Sequence, residues 1–135
     1  MRMRNHSNIL VRLALVAILS SSLAAPSSGA GVRKRVKFLK GRNSAVISGA
    51  VVRGDRDRYI VGAREGQKMT VTIKSAEDNA VFQVYFAGEQ EALEGAGEAD
   101  DAKSWSGTLP SSVDYVIVVG PTRGNATYKL EVKIE

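Results

Sequence analysis

Residues 57–75 read DRYIVGAREGQKMTVTIKS, and this stretch decides which class of fold the chain can adopt. Apolar side chains recur at every second position in two segments of it, at Tyr59, Val61 and Ala63 and then at Met69, Val71 and Ile73. A period of two is typical of a half-buried β-strand. Between the segments, Gly66 adopts positive φ without steric cost, so the chain can reverse there. We therefore predict a β-hairpin with one apolar face, which a second layer must cover.

The same two-residue period recurs along most of the chain. Further strand candidates lie at residues 35–38, 44–52, 80–86, 105–109, 114–119 and 128–135. Residues 87–103 interrupt the pattern, and their many Glu, Asp and Gly residues indicate an exposed loop, with a brief helical turn possible at 89–94. About eight short strands separated by turn residues, without a sustained helical period, predict an all-β fold. The predicted architecture is an antiparallel β-sandwich.

Residues 1–30 have the pattern of an export signal. Arg2 and Arg4 precede a short apolar run centred on 13–19, and small residues at 22–24 and 28–30 are suitable for cleavage by a signal peptidase. The run is shorter than the roughly 20 residues that a membrane-spanning helix needs, although an uncleaved anchor is the alternative. We predict a signal peptide at 1–30 and a single domain at 31–135. The mature protein is then periplasmic or secreted, with no membrane span after cleavage.

The charge of the mature domain is nearly balanced but unevenly distributed. Three of the 19 basic residues lie in the predicted signal, which leaves 16 against 14 acidic residues and argues against a nucleic-acid partner. Residues 32–74 contain twelve basic and three acidic side chains, whereas residues 75–135 contain four and eleven. Such an asymmetry either orients the encounter with a charged partner or pairs the two halves of the sandwich.

Few residues in the mature domain can perform chemistry. The chain has no cysteine, and its one histidine, His6, lies in the predicted signal, so thiol or imidazole catalysis and Cys or His metal ligation are excluded. Glu98, Asp100 and Asp101 carry oxygen ligands that suit Ca²⁺, but their spacing does not match an EF-hand loop and is more typical of a solvated acidic run. We predict a protein that is not an enzyme and uses no metal or cofactor.

Several short motifs resemble those of a known family. They are YIVGAREGQKMTV at 59–71, VKFLKG at 36–41, WSGTLP at 105–110, DYVI at 114–117 and ATYKLE at 126–131. In these motifs the chain resembles the small exported bacterial inhibitors of goose-type (g-type) lysozyme, within the wider group of prepeptidase-C-terminal-like sandwich domains. The resemblance implies a periplasmic β-sandwich that binds a host g-type lysozyme and occludes its active-site cleft.

The resemblance also directs attention to basic loops. Residues 120–125 depart from the family pattern, because this loop is short and contains one arginine, Arg123. A basic loop that enters a cleft of catalytic carboxylates gains charge-assisted hydrogen bonds, which are strongest with arginine. We predict Arg123, Asn125, Arg56 and Arg58 as the partner-binding residues, and the alternative for each arginine is ordinary surface exposure.

A second function remains open from the sequence. The alternative is a non-inhibitory β-sandwich module that adheres to carbohydrate or protein of the cell envelope. Under this alternative, Trp105 with Tyr85 and Tyr115 forms a platform on which sugars stack, or the acidic residues of 87–103 make the contact. Aromatic residues on strands more often fill a core, which is the competing interpretation of all three.

Overall fold

A computed structural model describes residues 31–135, and the predicted signal peptide lies outside the described residues. The described part contains eight strands and one short 3-10 helix. The strands are β1 (Arg33–Arg35), β2 (Ser44–Val51), β3 (Asp57–Ala63), β4 (Lys68–Ser75), β5 (Ala80–Phe86), β6 (Ser104–Thr108), β7 (Val113–Pro121) and β8 (Ala126–Ile134), and the helix is Glu98–Asp100. Across residues 31–135, no helix has the length and apolar character needed to cross a membrane.

The strands form two four-stranded sheets, which confirms the predicted β-sandwich. Sheet A has the order β1-β3-β7-β5, and sheet B has the order β2-β8-β4-β6. Every pair is antiparallel except β1 with β3, which is parallel. The first strand lies at Arg33–Arg35 and not at the predicted 35–38. The reason is its pairing with the beginning of β3, where Arg33 lies opposite Arg58.

The predicted hairpin at 57–75 is wrong, although both of its strands exist. β3 pairs with β1 and β7 in sheet A, whereas β4 pairs with β6 and β8 in sheet B. The turn at 64–67 therefore carries the chain from one sheet to the other. Alternation shows that each strand has one apolar face, but it does not identify the hydrogen-bonded neighbour. Placing the two strands in opposite sheets lets their apolar faces contribute to one core between the layers.

The inward faces of both sheets supply this core. The side chains with the largest fully buried volumes are Tyr115, Phe82, Met69, Leu109, Ile117 and Leu130, together with Val51, Val61, Val71, Val84, Val119 and Val132. Apart from Leu109, which follows β6, they alternate along the strands, and most residues between them are partly or fully exposed, although Val116 is also buried. The core leaves the outer face of sheet A and the connecting loops available for binding.

The acidic segment 87–103 is not the fully exposed loop that its composition predicts. It folds back along β5, where Leu93 donates a backbone hydrogen bond to Val84 at 2.8 Å and Val84 donates one to Ala96 at 3.0 Å. Farther along, Phe82 donates to Ala102 at 2.9 Å. Leu93, Ala96 and Ala102 are buried, and these few apolar residues fix the segment although acidic residues surround them. Its helical turn lies at Glu98–Asp100 and not at 89–94.

Candidate functional site

Three loops meet at one end of the sandwich, which we call the loop end. They are residues 52–56 between β2 and β3, residues 76–79 between β4 and β5, and residues 122–125 between β7 and β8. The strand register requires this arrangement, because Asp57 lies opposite Val119 and Val51 lies opposite Ala126. The two loops that carry the predicted basic residues are therefore neighbours.

Asn79 joins two of these loops, and it is not among the residues predicted from the sequence. Its side chain is 2% exposed, and its amide nitrogen donates hydrogen bonds to the carbonyl oxygens of Arg123 and Asn125, both at 3.0 Å. The backbone N–H of Thr122 donates to the carbonyl of Asn79 at 2.8 Å. A buried amide with satisfied donors holds backbone firmly, since breaking these bonds would leave polar groups unpaired. In sequence, Asn79 is indistinguishable from any other residue of a polar turn.

Arg123 and Asn125 belong to the same loop of the loop end but make different contacts. The side-chain oxygen of Asn125 accepts a hydrogen bond from the backbone N–H of Arg53 at 2.9 Å, which ties residues 122–125 to residues 52–56. The guanidinium of Arg123 donates to the backbone carbonyl of Glu77. Within residues 31–135, Arg123 forms no ion pair, so its charge is not neutralised by a carboxylate.

Arg56 and Arg58 lie on the outer face of sheet A, on either side of the inward-facing Asp57. Arg56 lies across Gly120, where an added Cβ would be 2.7 Å from its Nε, and it donates to the carbonyl of Asp55 at 2.8 Å. Arg58 is farther from the loop end, and its guanidinium makes a single hydrogen bond within residues 31–135, a long one of 3.4 Å to the carbonyl of Arg56. The structure thus brings Arg56, Arg123 and Asn125 to one end, with Arg58 beside them.

A buried polar network fixes the start of β3 and hence the two arginines. The carboxylate of Asp57, 2% exposed, accepts hydrogen bonds from the Val32 N–H at 2.8 Å and from the Tyr128 hydroxyl at 2.6 Å. The hydroxyls of Tyr59 and Tyr128 are 2.5 Å apart. Burial is the main cause that raises the pKa of both Tyr59 and Tyr128, so both phenols are neutral.

The proposed aromatic platform for sugars does not form. Tyr115 is fully buried, and its hydroxyl donates to the carbonyl of Ser111 at 2.7 Å. Trp105 is half-buried on β6 in sheet B, and its indole N–H donates to the carbonyl of Glu94 at 2.9 Å. Tyr85 is on β5 in sheet A. Among residues 31–135, no cluster of three or more acidic or histidine side chains has the geometry to hold a metal ion.

The chain is similar to characterised proteins over most of its length. It is 32% identical over 126 residues to an inhibitor of g-type lysozyme from Escherichia coli, covering 90% of each chain. The crystal structure of a periplasmic lysozyme inhibitor of g-type lysozyme from Aeromonas hydrophila is 33% identical, with a TM-score of 0.67 over 77% of this chain and 96% of that one. No protein-family model matches.

The fold also occurs outside this group. The pre-peptidase C-terminal domain of a collagenase from Bacillus anthracis aligns with a TM-score of 0.57 at 16% identity, covering 77% of this chain and 97% of that domain. At that identity the similarity concerns the fold alone.

Proposed function

Because the chain belongs to the family of periplasmic inhibitors of g-type lysozyme, we propose that it protects the cell wall by inserting its loop end into the active-site cleft of a host g-type lysozyme. The protein is a periplasmic binding protein and not an enzyme. Its target is a g-type lysozyme, and the origin of that enzyme in a host animal is part of the proposal. Inhibition by this route needs no chemistry from the inhibitor, because occupying the cleft is sufficient to exclude the substrate.

The observation that carries the proposal is that hydrogen bonds join the loops of the loop end to one another. Asn79 holds the backbone of residues 122–125 from one side, and Asn125 bonds to the backbone of Arg53 on the other. Loops that are held in place before binding lose little conformational entropy when the partner arrives. The loop end is therefore suited to form a rigid wedge.

The charges of the loop end suit the proposed target. Glycosidases act through carboxyl groups that flank the scissile bond, so the cleft of a lysozyme has acidic groups at its centre. Arg123 and Arg56 donate only to backbone carbonyls within the described residues, and a carboxylate would attract both. A guanidinium bonded to a carboxylate through two parallel hydrogen bonds gives a directional and strong contact.

The four predicted residues have different roles in this proposal. Arg123 and Arg56 make the direct contacts with the cleft. Arg58, farther along β3, contacts the rim. Asn125 is a positioning residue, since its side-chain oxygen already accepts from Arg53 and it acts through the shape of the loop.

The proposal is tested with protein exported and purified from the periplasm. Lysis of a cell-wall suspension is followed with lysozymes of goose, chicken and invertebrate type, and with a lytic enzyme from the bacterium's own cell wall. We expect inhibition of the goose-type enzyme at near-equimolar inhibitor and little effect on the bacterium's own enzyme. No inhibition at a large excess, combined with sedimentation of the protein on peptidoglycan, would instead support the envelope-adhering alternative.

A further inference from the structure

The outer face of sheet A carries a groove with a volume of about 480 Å³, which we call the sheet A groove. Its floor includes Tyr85 of β5 and Val116 and Val118 of β7. The volume lies within the range of about 300 to 1,000 Å³ that is usual for small-ligand sites. Tyr85 and Val118 are half-buried whereas Val116 is buried, so the apolar surface of the floor comes from Tyr85 and Val118. A ligand that lies on the floor removes this area from water.

The two walls of the groove have opposite charge. Arg33 of β1, Arg56 just before β3 and Arg58 of β3 form one wall, whereas Glu89 and Glu98 of the acidic segment 87–103 form the other. The basic wall comes from the first half of the chain and the acidic wall from the second. The basic and acidic parts of the sequence therefore form the two opposite walls of one groove.

The walls do not neutralise each other. The ion pairs within residues 31–135 are Arg35 with Asp114, Lys103 with Asp78, and Lys133 with Glu135. None of them includes a residue of either wall, so the guanidinium nitrogens and carboxylate oxygens across the groove are more than 4.0 Å apart. Charges that are left unpaired on both sides of a groove are available to a ligand that brings the complementary charges.

The backbone fixes both walls. Arg33 lies directly opposite Arg58 in the register of β1 and β3, so two like charges are neighbours on the same face, and neither forms an ion pair with another described residue. Such a pair is destabilising until an anion binds between the two groups. Opposite them, the 3-10 helix Glu98–Asp100 begins where the Gly97 N–H donates to the carboxylate of Asp100 at 2.7 Å. Glu98 therefore starts a short element that the buried Ala96 anchors on β5.

From this geometry we propose that the sheet A groove binds a short peptide that carries both a carboxylate and an ammonium group. The carboxylate lies between Arg33 and Arg58, the ammonium group faces Glu98, and the peptide backbone crosses Tyr85. The acidic wall repels ligands that are only anionic, and the basic wall repels those that are only cationic. Free peptides and the stem peptides of the cell wall share this chemistry. The groove shares Arg56 and Arg58 with the proposed inhibitory surface. Arg33, Glu98 and Tyr85 are outside that surface, so variants at these three residues separate peptide binding from lysozyme binding.

The first experiment uses calorimetry on the exported protein to measure how the affinity depends on the charge of the ligand. Three tripeptides with blocked termini are compared, one with a Glu and a Lys side chain, one with two Glu and one with two Lys. We expect the zwitterionic peptide to bind at least about ten times more tightly than either of the others, as expected when one charged hydrogen bond is lost. Equal or tighter binding of the doubly acidic peptide, or no binding of the zwitterionic peptide at several millimolar, would overturn the proposal.

Variants then locate the bound peptide. Arg33→Gln and Glu98→Gln should each lower the affinity for the zwitterionic peptide about tenfold. The matched controls Arg42→Gln and Glu131→Gln, which remove the same charges outside the groove, should leave it unchanged. Equal effects of the wall and control variants, or tighter binding by Glu98→Gln, would contradict the assignment. Inhibition of g-type lysozyme by Glu98→Gln should stay normal, so this result and that of the inhibition assay can fail separately.

The source of the peptide is resolved by two further ligands. A disaccharide–tetrapeptide fragment of peptidoglycan is compared with the same disaccharide lacking the peptide. Binding of the fragment but not of the disaccharide supports a site that binds the stem peptides of the cell wall. Equal binding of both means that the sugar is the recognised group, and this would overturn the peptide assignment.

Discussion

The hydroxyl of Tyr128 donates a hydrogen bond of 2.6 Å to the buried carboxylate of Asp57, and this bond joins strand β8 of sheet B to strand β3 of sheet A through the core. The Tyr128 proton points to Asp57, so the Tyr128 oxygen accepts from Tyr59, 2.5 Å away. Asp57 lies between Arg56 and Arg58 in sequence. An inward carboxylate held in this way fixes the start of β3 and therefore the two outward arginines.

Removing the Tyr128 hydroxyl should destabilise the fold. In Tyr128→Phe, Asp57 keeps its bond from Val32 but loses the one side-chain donor that it has among residues 31–135. We expect the free energy of unfolding to fall by about 1 to 3 kcal/mol in urea titrations. The control is Tyr85→Phe, whose hydroxyl bonds to Gln83 on the partly exposed outer face and should change stability by less than about 0.5 kcal/mol. A Tyr128→Phe protein as stable as this control would show that the network contributes little.

Stability should fall at alkaline pH because of the same network. Burial, reinforced by the hydrogen bond to Asp57, raises the pKa of Tyr128, and burial raises that of Tyr59. The stabilisation that these two protonated tyrosines give to the folded state is therefore complete below the unfolded pKa of about 10. Above that pH the unfolded tyrosines lose protons that the folded ones retain, and stability decreases as pH rises, by at most about 1.4 kcal/mol per pH unit for each tyrosine.

Urea midpoints measured between about pH 8 and 11.5 check this expectation. Above about pH 10, the free energy of unfolding should fall less steeply with pH in Tyr59→Phe than in wild type, because one of the two tyrosines no longer contributes. An unchanged slope in the variant would exclude Tyr59 as a source of the alkaline effect.

Gly49 should not tolerate a methyl group. It lies opposite Tyr128 in the register of β2 and β8, and a Cβ at Gly49 would be 2.5 Å from the tyrosine ring. In Gly49→Ala the ring must move, which also strains its bond to Asp57. We expect a loss of about 1 to 3 kcal/mol by thermal or urea unfolding, against a change below about 0.5 kcal/mol for the exposed neighbour Ser48→Ala. In a Tyr128→Leu background the same glycine change should be less costly, because the ring is absent.

Gly120 provides a way to move Arg56 without removing it. A Cβ at Gly120 would be 2.7 Å from Nε and 2.8 Å from Cδ of Arg56, and these atoms belong to a flexible side chain. Gly120→Ala should therefore fold with nearly unchanged stability but bind g-type lysozyme several-fold more weakly. The dissociation constant of Arg56→Ala should not change further when Gly120→Ala is added. Additive effects of the two substitutions would mean that Gly120 acts on the complex by another route.

The two-residue period of the sequence predicted the strands and their buried faces well. Tyr59 and Val61 in β3 and Met69 and Val71 in β4 are buried as the alternation requires. The period did not predict which strands pair, because two consecutive strands show the same alternation whether they pair in one sheet or lie in opposite sheets. The acidic segment 87–103 was misjudged for a related reason, since its position depends on three buried residues among many charged ones.

The candidate site was predictable only in part. Arginine near a turn indicated Arg56 and Arg123, but their proximity depends on strand order, which local patterns do not contain. Asn79 was missed because its two hydrogen bonds reach residues more than forty positions away. The walls of the sheet A groove were visible in the sequence only as an uneven distribution of charge.

The most direct test of the account is the dissociation constant for goose-type lysozyme, measured by calorimetry for wild-type protein, Arg123→Ala and Arg42→Ala. Arg42 is at the opposite end of the sandwich and is the matched control. We predict that Arg123→Ala weakens binding by about 2 kcal/mol, roughly 30-fold, with an unchanged unfolding midpoint, and that Arg42→Ala binds like wild type. If wild-type binding is tight and Arg123→Ala leaves it unaltered, the loop end is not the inhibitory surface.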